Sequence, residues 1–422
     1  MLILEDIAQR YITVRQHSIN ICKPLSVEDF VVQPIVDVSP PKWHLGHTTW
    51  FFETFILEPY AKGYRTFDKD FSFIFNSYYE SIGNRVFRAD RGNITRPTVE
   101  EVFRYRKYVD QAMAEFFDST EEKIIEDLSY VLEIGLQHEQ QHQELMITDI
   151  KYILGHNPLF PVYLPEALSN GHFNNKVISE TYLDFEEGIY EIGGIEPGFK
   201  FDNELGVHKV FLHPFKMLDR LITNGEYLDF MESGGYKDFR YWFSEGWDWV
   251  KENDITAPLY WHKIEGKWFY FTLNGLKELS AQEPVTHISF YEADAFASWK
   301  GKRLLTEFEW EIACRKTNQE IPENANFLNS KAFKPRVRLK DANQMFGDVW
   351  EWTQSAYLPY PFFTKEIGAL GEYNGKFMVN QKVLRGGSCA TFKEHIRVSY
   401  RNFFHPDKRW QFTGLRLAES LQ

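Results

Sequence analysis

The sequence predicts an α+β protein of two domains, an N-terminal four-helix bundle followed by a loop-rich domain with short strands. The chain has 422 residues, which is more than one ordinary core accommodates. Apolar residues recur at helical spacing in the first third of the chain. After about residue 185, short strand-like segments alternate with turns rich in Gly, Asp and Asn. We therefore expect a helical domain over residues 1–160, a linker over 161–184 and a second domain over 185–422.

The composition excludes several classes of function. Lys and Arg total 47 and Asp and Glu total 60, so the formal net charge is −13 and neither nucleic acid nor an anionic membrane is an expected partner. The three cysteines are far apart, which argues against a disulfide framework. Glu5 and Asp6 stand where a signal peptide needs an apolar core, and no segment is apolar enough to span a membrane. We expect a soluble cytoplasmic protein.

Local signals define the four helices of the bundle. Helices are expected over residues 4–20, from Pro40-Pro41 onward, over 98–117 and over 121–154. Proline suits the first turn of the second helix. Thr98-x-x-Glu101 is a capping box at the start of the third helix. The wide apolar faces of these helices indicate an antiparallel bundle.

Three histidines lie on apolar faces of two of these helices. His138 and His142 are four residues apart on a seam that runs over residues 124–145, so they share one helical face. His47 lies on the seam of the second helix, over residues 43–57. Buried imidazoles need polar partners, and imidazole binds Zn, Fe, Cu and Ni. We favour a three-histidine metal site with positions open for substrate, and a buried polar network of histidines is the alternative.

The segment His138-Glu139-x-x-His142 also matches the short zinc-protease motif. In that interpretation Glu139 is the general base. The extended motif needs a glycine and a third histidine where this chain has Leu145 and Thr148. A zinc-dependent hydrolase is therefore a minor alternative. Glu139 is expected to be a structural residue or one that supports the metal ligands, and a solvated helix position is the alternative.

The second half of the chain carries six motifs in a fixed order. They are Thr223-Asn224-Gly-Glu-Tyr227, Pro284-Val-Thr-His-Ile-Ser289, Asp294-Ala-Phe-Ala-Ser-Trp299, Gly301-Lys-Arg-Leu-Leu-Thr-Glu-Phe-Glu-Trp-Glu311, Gly347-Asp-Val-Trp-Glu-Trp-Thr353 and Leu384-Arg-Gly-Gly-Ser388. Together they resemble the formylglycine-generating-enzyme-like (sulfatase-modifying factor) domain, a fold related to C-type lectins. The formylglycine-forming enzymes use two cysteines where this chain has Thr391 and Ile396, so that activity is not expected.

The first half resembles the DinB-like helical bundle, whose metal site is a histidine triad. The fusion of both domains resembles the ergothioneine-type sulfoxide synthases, which are non-haem iron enzymes. This resemblance implies Fe(II) bound by His47, His138 and His142, with O2 as co-substrate. It implies a reaction that joins a thiol to C2 of the imidazole of hercynine (trimethylhistidine) and oxidises the sulfur to a sulfoxide.

The same resemblance implies further site residues in the first domain. Gln141 matches a position that hydrogen-bonds the hercynine imidazole. Arg88 and Arg91 match a clamp for the carboxylate of the thiol substrate, for which guanidinium geometry is suited. Tyr78 and Tyr79 match a tyrosine pair of the branch that uses free cysteine, in which a phenol donates a proton or a hydrogen bond to oxygen. Solvated charge for the arginines and aromatic packing for one tyrosine are the alternatives.

In the second domain, the resemblance implies that Asn402, Phe403 and Phe404 bind substrate. Aromatic faces there would hold the quaternary ammonium of hercynine by cation–π attraction. The branch that uses gamma-glutamylcysteine has an acidic residue in this loop, which this chain lacks beside Asn402. We therefore expect hercynine and cysteine as substrates. The alternatives are a selenoneine synthase, an ovothiol-type synthase acting at histidine C5, and a metal-binding module without catalysis.

Overall fold

The computed structural model describes residues 2–165, 180–318, 320–339, 343–365 and 369–421. The chain separates into two compact units, here called unit 1 (Met1–Tyr163 with Glu366–Glu372) and unit 2 (Leu164–Lys365 with Tyr373–Gln422). Unit 1 is helical and unit 2 contains the strands, which confirms the predicted α+β class. Most of the segment expected to be a linker, residues 166–179, lies outside the described residues.

Unit 1 is built around four long helices. Its α-helices are α1 (Leu2–Cys22), α2 (Pro41–Phe52), α3 (Glu58–Tyr60), α4 (Asp70–Phe75), α5 (Val99–Ser119), α6 (Glu122–Asp127) and α7 (Ser129–Gly155). A π-helical turn over Glu53–Leu57 joins α2 to α3. A 3-10 helix covers Arg88–Asn93. α2 packs against α5 and α7, and α1 packs against α7, so these four helices form the bundle that the sequence predicts.

The helix boundaries follow the local signals with one exception. Pro41 occupies the first turn of α2, and the side chains of Thr98 and Glu101 cap α5 reciprocally. The predicted fourth helix is wrong at its start, because a turn at Leu128 (φ −92°, ψ −2°) divides it into α6 and α7. α6 buries Ile125, whereas Ile124 is 39% exposed. The buried residue of α6 is therefore Ile125, one position after the Ile124 of the predicted apolar seam.

Two glycines allow close packing around α2. A Cβ at Gly135 of α7 would lie 2.7 Å from Cε1 of Phe52 and 2.9 Å from Cε1 of Phe51. A Cβ at Gly46 of α2 would lie 2.1 Å from Cε1 of Phe75. Real Cβ atoms do not approach so closely, so both positions require glycine in this packing. The result is that α7, which carries His138 and His142, lies directly against α2, which carries His47.

Unit 2 combines short strands with four helices. The helices are α8 (Asn224–Glu232), α9 (Ser244–Glu252), α10 (Phe290–Trp299) and α11 (Glu307–Thr317). The strands are β1 (Tyr182–Phe185), β2 (Gly188–Ile192), β3 (His208–Leu212), β4 (Phe215–Leu218), β5 (Trp261–Ile264), β6 (Lys267–Thr272), β7 (Gly275–Glu278), β8 (Arg303–Leu304), β9 (Trp350–Ala356), β10 (Lys382–Arg385), β11 (Asn402–Phe404), β12 (Thr413–Gly414) and β13 (Leu417–Ser420).

The described strands of unit 2 form four small sheets. One sheet has the antiparallel order β1-β4-β13-β8, and another has the order β11-β10-β9-β12, in which β12 and β9 are parallel. β2 pairs with β3, and β5, β6 and β7 form an antiparallel sheet. The strand-like segments that the sequence indicates after about residue 185 are present. α8, α9 and the β5–β7 sheet were not predicted, because their apolar patterns are short.

Buried ion pairs stabilise the segment of unit 2 that directly precedes β11. Arg401 donates hydrogen bonds to Glu307 and to the carbonyl oxygen of Asn203. Arg385 also donates to Glu307, at 3.0 Å, and the guanidinium of Arg401 lies over the ring of Tyr360. Burial raises the pKa of Glu307, but the charges of Arg401 and Arg385 outweigh this effect and lower it. These contacts hold Arg401, the residue that precedes β11, in place.

Across the parts of the chain given above, no helix is both long enough and apolar enough to cross a membrane.

Candidate metal centre

The structure brings His47, His138 and His142 together inside unit 1. One ring nitrogen from each of them lies within 4.8 Å of the others. Nε2 of His47 and Nε2 of His138 are 3.1 Å apart. Two imidazole nitrogens bound to one ion at about 2.1 Å and at a right angle are about 3.0 Å apart. The spacing of this pair therefore fits two ligands of one metal ion.

A backbone contact determines which nitrogen of His47 is available. Nδ1 of His47 lies 2.6 Å from the carbonyl oxygen of Phe75. A carbonyl oxygen only accepts hydrogen bonds, so Nδ1 carries the proton and Nε2 has a free lone pair. This arrangement is the one in which a metal-binding histidine is usually held. The lone pair of Nε2 is directed toward His138, where a metal ion or a proton must lie between the two nitrogens.

His142 is oriented by a second histidine and a carboxylate. Nδ1 of His142 lies 2.8 Å from Nδ1 of His44, and Nε2 of His44 lies 3.0 Å from Oδ2 of Asp149. An ionised carboxylate accepts, so Nε2 of His44 donates and its Nδ1 is an acceptor. His142 therefore donates from Nδ1 and keeps a lone pair on Nε2. Neither His44 nor Asp149 was predicted to have a role. His44 lies off the apolar seam of α2, and the seam of α7 ends at Asp149.

Aromatic rings fix the plane of His47. Its imidazole is stacked between two indoles, with ring centroids 4.6 Å from Trp43 at an interplanar angle of 14° and 5.6 Å from Trp50 at 17°. The guanidinium of Arg91 lies over the other face of Trp43, 3.3 Å from the ring centroid. This stack holds the imidazole in one orientation and keeps water from its faces.

Burial makes all three histidines neutral. Desolvation is the largest cause of each shift; it lowers the pKa of His138 to about 3 and the pKa values of His47 and His142 well below their usual range. A neutral imidazole is the form that binds a metal ion. The three side chains therefore fit a divalent ion in charge state and spacing, and His47 and His142 also fit it in tautomer. A hydrogen bond from His138 to His47 is the alternative that fits their contact.

Glu139 belongs to a buried ion-pair cluster. Its carboxylate accepts hydrogen bonds from Arg106, from Arg15 at 2.9 Å and from Ser18 at 2.6 Å. Burial by itself raises the pKa of Glu139, but the charges of Arg106 and Arg15 lower it to about 2. The side chain is fully buried, which agrees with the expected structural role and contradicts the alternative of a solvated helix position. The zinc-protease interpretation loses its general base, since this carboxylate is ion-paired at neutral pH.

The two arginines of the expected clamp differ in environment. Arg88 is exposed and donates to the carbonyl oxygen of Asp37. Arg91 is buried and donates to Oγ of Ser39 at 2.8 Å, and no carboxylate among the described residues forms an ion pair with it. Burial, followed by the charge of Arg88, lowers the pKa of Arg91 well below its usual value. Arg91 is therefore a buried cation whose charge lacks a direct counter-ion.

The expected tyrosines and Gln141 also lie in unit 1. The rings of Tyr78 and Tyr79 are stacked at 4.6 Å, and Tyr79 is fully buried whereas Tyr78 is half-buried. The ring of Tyr79 lies 5.5 Å from Trp50, which itself stacks on His47. Gln141 is half-buried and follows His138 by three residues of α7, so the two side chains share a helix face.

The other expected substrate residues form β11 of unit 2. The ring of Phe403 stacks on Tyr357 at 4.0 Å and 12°. Phe404 meets Trp410 edge to face at 5.2 Å. The side-chain oxygen of Asn402 accepts a hydrogen bond from the N–H of Phe403. All three residues are half-buried and belong to an aromatic cluster within unit 2.

Fold and site together define a class: a DinB-type helical bundle with three converging histidines, joined to a sulfatase-modifying-factor domain. The DinB superfamily matches residues 10–146, and the sulfatase-modifying factor enzyme 1-like domain matches residues 180–421.

Three similar proteins indicate the family of the chain. The hercynine oxygenase of Mycobacterium tuberculosis is 31% identical over 312 residues, which cover 69% of this chain and 71% of that protein. The hercynine oxygenase of Mycolicibacterium smegmatis is 31% identical over 339 residues, which cover 74% of this chain and 77% of that protein. The ergothioneine biosynthesis protein 1 of Schizosaccharomyces pombe is 27% identical over 240 residues, which cover 53% of this chain and 28% of that protein. The chain belongs to the ergothioneine-type sulfoxide synthase family, which includes the hercynine oxygenases.

Proposed function

We propose that this chain is a non-haem iron(II) sulfoxide synthase of ergothioneine biosynthesis, which uses O2 to join cysteine to C2 of the hercynine imidazole. The observation that carries the proposal is the convergence of three neutral imidazoles in a member of this family, of which those of His47 and His138 are buried and that of His142 is half-buried. Two of them, His47 and His142, have the Nδ1 proton held by a partner, so that Nε2 is available to a metal ion.

The reaction balances without another reductant. The C2–H bond of hercynine and the S–H bond of cysteine break, a C–S bond forms, one oxygen atom goes to sulfur and the other leaves as water. The four electrons that reduce O2 thus come from the two substrates. His47, His138 and His142 would hold the Fe(II), which would supply the redox chemistry that couples the thiol to O2.

Arg91 is the side chain that best suits the carboxylate of the thiol substrate. Its guanidinium is buried, it has one side-chain hydrogen bond to Ser39, and its charge acts on His44, His47 and His142. A buried cation without a direct counter-ion attracts an anion strongly, because the interaction is little screened. Arg88 is exposed and lies three residues before Arg91, so it adds positive potential beside the proposed carboxylate site.

Gln141 is proposed to orient hercynine. A glutamine side chain offers a donor and an acceptor to an imidazole ring, whichever nitrogen of that ring carries the proton. It lies one helical turn from His138 on the same face of α7, so a substrate beside the histidines is within its reach. This placement gives Gln141 a positional role that Glu139, one residue after His138 and buried among arginines, does not have.

Tyr78 and Tyr79 are proposed to serve proton transfer to reduced oxygen. A phenol donates a proton or a hydrogen bond at neutral pH. The stacked pair is joined to the histidine site through Trp50, which contacts both Tyr79 and His47. Comparison of Tyr78→Phe with Tyr79→Phe assigns the role, because only the variant that lacks the reacting phenol loses sulfoxide formation.

Asn402, Phe403 and Phe404 are proposed to bind the trimethylammonium group of hercynine. Phe403 and Tyr357 present a stacked aromatic pair, and Phe404 and Trp410 present an edge-to-face pair. Aromatic faces attract quaternary ammonium ions by about 0.5–2 kcal/mol. The absence of an acidic side chain beside Asn402 supports free cysteine, rather than a larger thiol, as the second substrate.

The proposed function is tested by anaerobic reconstitution with Fe(II). O2 consumption is followed with an oxygen electrode, and the product is identified by mass spectrometry and NMR with hercynine plus cysteine. We expect O2 uptake and a hercynylcysteine sulfoxide substituted at C2. Protein loaded with Zn(II) is the matched control, since imidazoles bind zinc but zinc is not redox-active.

The outcomes separate the alternatives. O2 consumption no faster than that of a folded His138→Ala variant contradicts the enzyme and leaves a metal-binding module. Product from a selenosugar but not from cysteine indicates a selenoneine synthase. Substitution at C5 of histidine indicates an ovothiol-type synthase. Turnover with gamma-glutamylcysteine but not cysteine contradicts the assigned substrate branch.

A further inference from the structure

We propose that Asp149 and His44 form a relay that makes Nε2 of His142 a metal-binding atom and strengthens it as a donor. In this arrangement Asp149 and His44 are positioning residues that act through His142. The proposal rests on the metal site of the proposed function, and not on the identity of the thiol or of the imidazole substrate.

Hydrogen-bond geometry gives the relay a direction. Asp149 accepts from Nε2 of His44, and Nδ1 of His44 accepts from Nδ1 of His142. Both ring nitrogens of His44 are thereby engaged, so it is not placed to act as a fourth ligand through a free nitrogen. His44 and Asp149 are each about 2% exposed, so water does not compete for these bonds.

A backbone donor fixes the carboxylate end of the relay. The N–H of Ser39 donates to Oδ2 of Asp149 at 2.8 Å, immediately before α2 begins. Oγ of the same Ser39 accepts from Arg91. Asp149 is thus held from α7 against the start of α2, and it presents one oriented carboxylate to His44.

The relay makes the three histidines unequal. Nδ1 of His47 donates to a neutral backbone carbonyl. Nδ1 of His142 donates to an imidazole that is itself bonded to a carboxylate. A carboxylate behind a ligand raises the basicity of that ligand and fixes its tautomer. His142 is therefore a stronger donor than His47. The relay, unlike the carbonyl behind His47, can be altered by side-chain substitution.

Two variants test separately the charge of Asp149 and the hydrogen bond between His142 and His44. Asp149→Asn keeps an oxygen that accepts from His44 and Ser39 but removes the charge. His44→Phe keeps a planar ring and removes the acceptor for His142. Glu53→Gln is the matched control, because Glu53 is an equally buried carboxylate that binds Tyr64, Tyr105 and the N–H of Phe67 and contacts none of the three histidines.

The first experiment titrates each metal-free protein anaerobically with Co(II) alone and records its visible ligand-field bands. We expect equal dissociation constants for the unaltered protein and Glu53→Gln. His44→Phe is expected to bind about 10–100-fold more weakly, and Asp149→Asn about 10-fold more weakly with shifted bands. Unchanged affinity and bands in both variants would overturn the relay alone. Failure of the unaltered protein to bind Co(II) would overturn the relay and the proposed function together.

The second experiment needs no metal, and it distinguishes loss of the relay from misfolding of a variant. Long-range 1H–15N spectra of protein labelled with 15N-histidine report the tautomer of each imidazole. We expect His142 to be protonated at Nδ1 in the unaltered protein and in Asp149→Asn, and to lose this single tautomer in His44→Phe. A proton on Nε2 of His142 in the metal-free, unaltered protein would contradict the proposed direction of the relay.

Discussion

Arg106 donates a hydrogen bond to Glu139 in the interior of unit 1, where both side chains are almost fully buried, with exposures of 1% and 0%. Arg15 of α1 binds the second oxygen of the same carboxylate. Glu139 therefore ties α7 to α1 and α5 at the position next to His138. The orientation of a candidate metal ligand is thus maintained by an ion-pair cluster that does not contact the metal site itself.

Glu139→Gln is expected to destabilise the protein by about 3–5 kcal/mol, because Arg106 loses its buried ion-pair partner and Arg15 keeps only Asp110. Urea unfolding followed by far-UV circular dichroism at pH 7 measures the loss. Glu115→Gln, an exposed carboxylate on α5, is the control and is expected to change stability by less than about 0.5 kcal/mol. Equal midpoints for the two variants would contradict a structural role for Glu139.

The stabilisation from Glu139 is expected to depend on pH in one direction. Its folded-state pKa, lowered to about 2, lies below the unfolded value of about 4.3–4.5. A group whose pKa is lowered on folding stabilises the folded state at pH values above its unfolded pKa. This stabilisation is lost as the pH falls through the folded-state pKa. The difference in unfolding free energy between the unaltered protein and Glu139→Gln should therefore be constant from pH 7 to about 5 and shrink from about pH 4.5 toward 2. Unfolding free energies measured over that window check this; a difference that grows on acidification would contradict it.

Arg91→Met is expected to raise the KM for cysteine by about 30-fold or more, because removing a buried partner of a bound carboxylate costs about 2 kcal/mol or more. The exposed Arg88→Met serves as the comparison and should raise KM less, since solvent screens its charge. Initial rates of O2 consumption at saturating hercynine measure both. A larger effect at Arg88 would move the carboxylate site away from Arg91.

Gln141→Ala is expected to weaken hercynine binding by about 5–30-fold, which corresponds to about 1–2 kcal/mol for one lost hydrogen bond. Anaerobic calorimetry with the metal-loaded protein measures the dissociation constant. Gln137→Ala removes the same side chain one residue before His138, where it donates to Glu133, and should leave hercynine affinity unchanged. Equal losses in the two variants would indicate a general effect on α7.

Gly46→Ala is expected to destabilise unit 1 by about 1–3 kcal/mol, since the added Cβ would lie 2.1 Å from Phe75 and must displace its ring. The carbonyl of Phe75 accepts from His47, so Co(II) affinity should fall as well. Gly135→Ala meets its nearest atoms at 2.7 and 2.9 Å and should cost less. Urea midpoints and Co(II) titration measure the two effects, and an unchanged Co(II) affinity in Gly46→Ala would show that the Phe75 contact tolerates displacement.

The amino-acid sequence predicted the α+β class, the start of α2 and α5, and the three histidines that the structure brings together. These features depend on residues close to one another in the chain: a proline at a first turn, a capping box, and histidines at helical spacing. It also carried the ordered motifs of the second domain, by which the family was recognised. The division of α6 from α7 at Leu128 was not predicted, because the apolar spacing continues through it.

The amino-acid sequence is sufficient to predict the class of fold and the types of side chain at the site. The packing of the helices was needed to show that Nε2 of His47 and of His142 is available, that Glu139 is an ion-paired structural residue, and that Arg91 is buried while Arg88 is exposed. His44 and Asp149 are 105 residues apart and Arg15 and Glu139 are 124 apart. Tautomers and buried charges depend on such distant pairs, which no local pattern encodes, and they exist only after the helices pack.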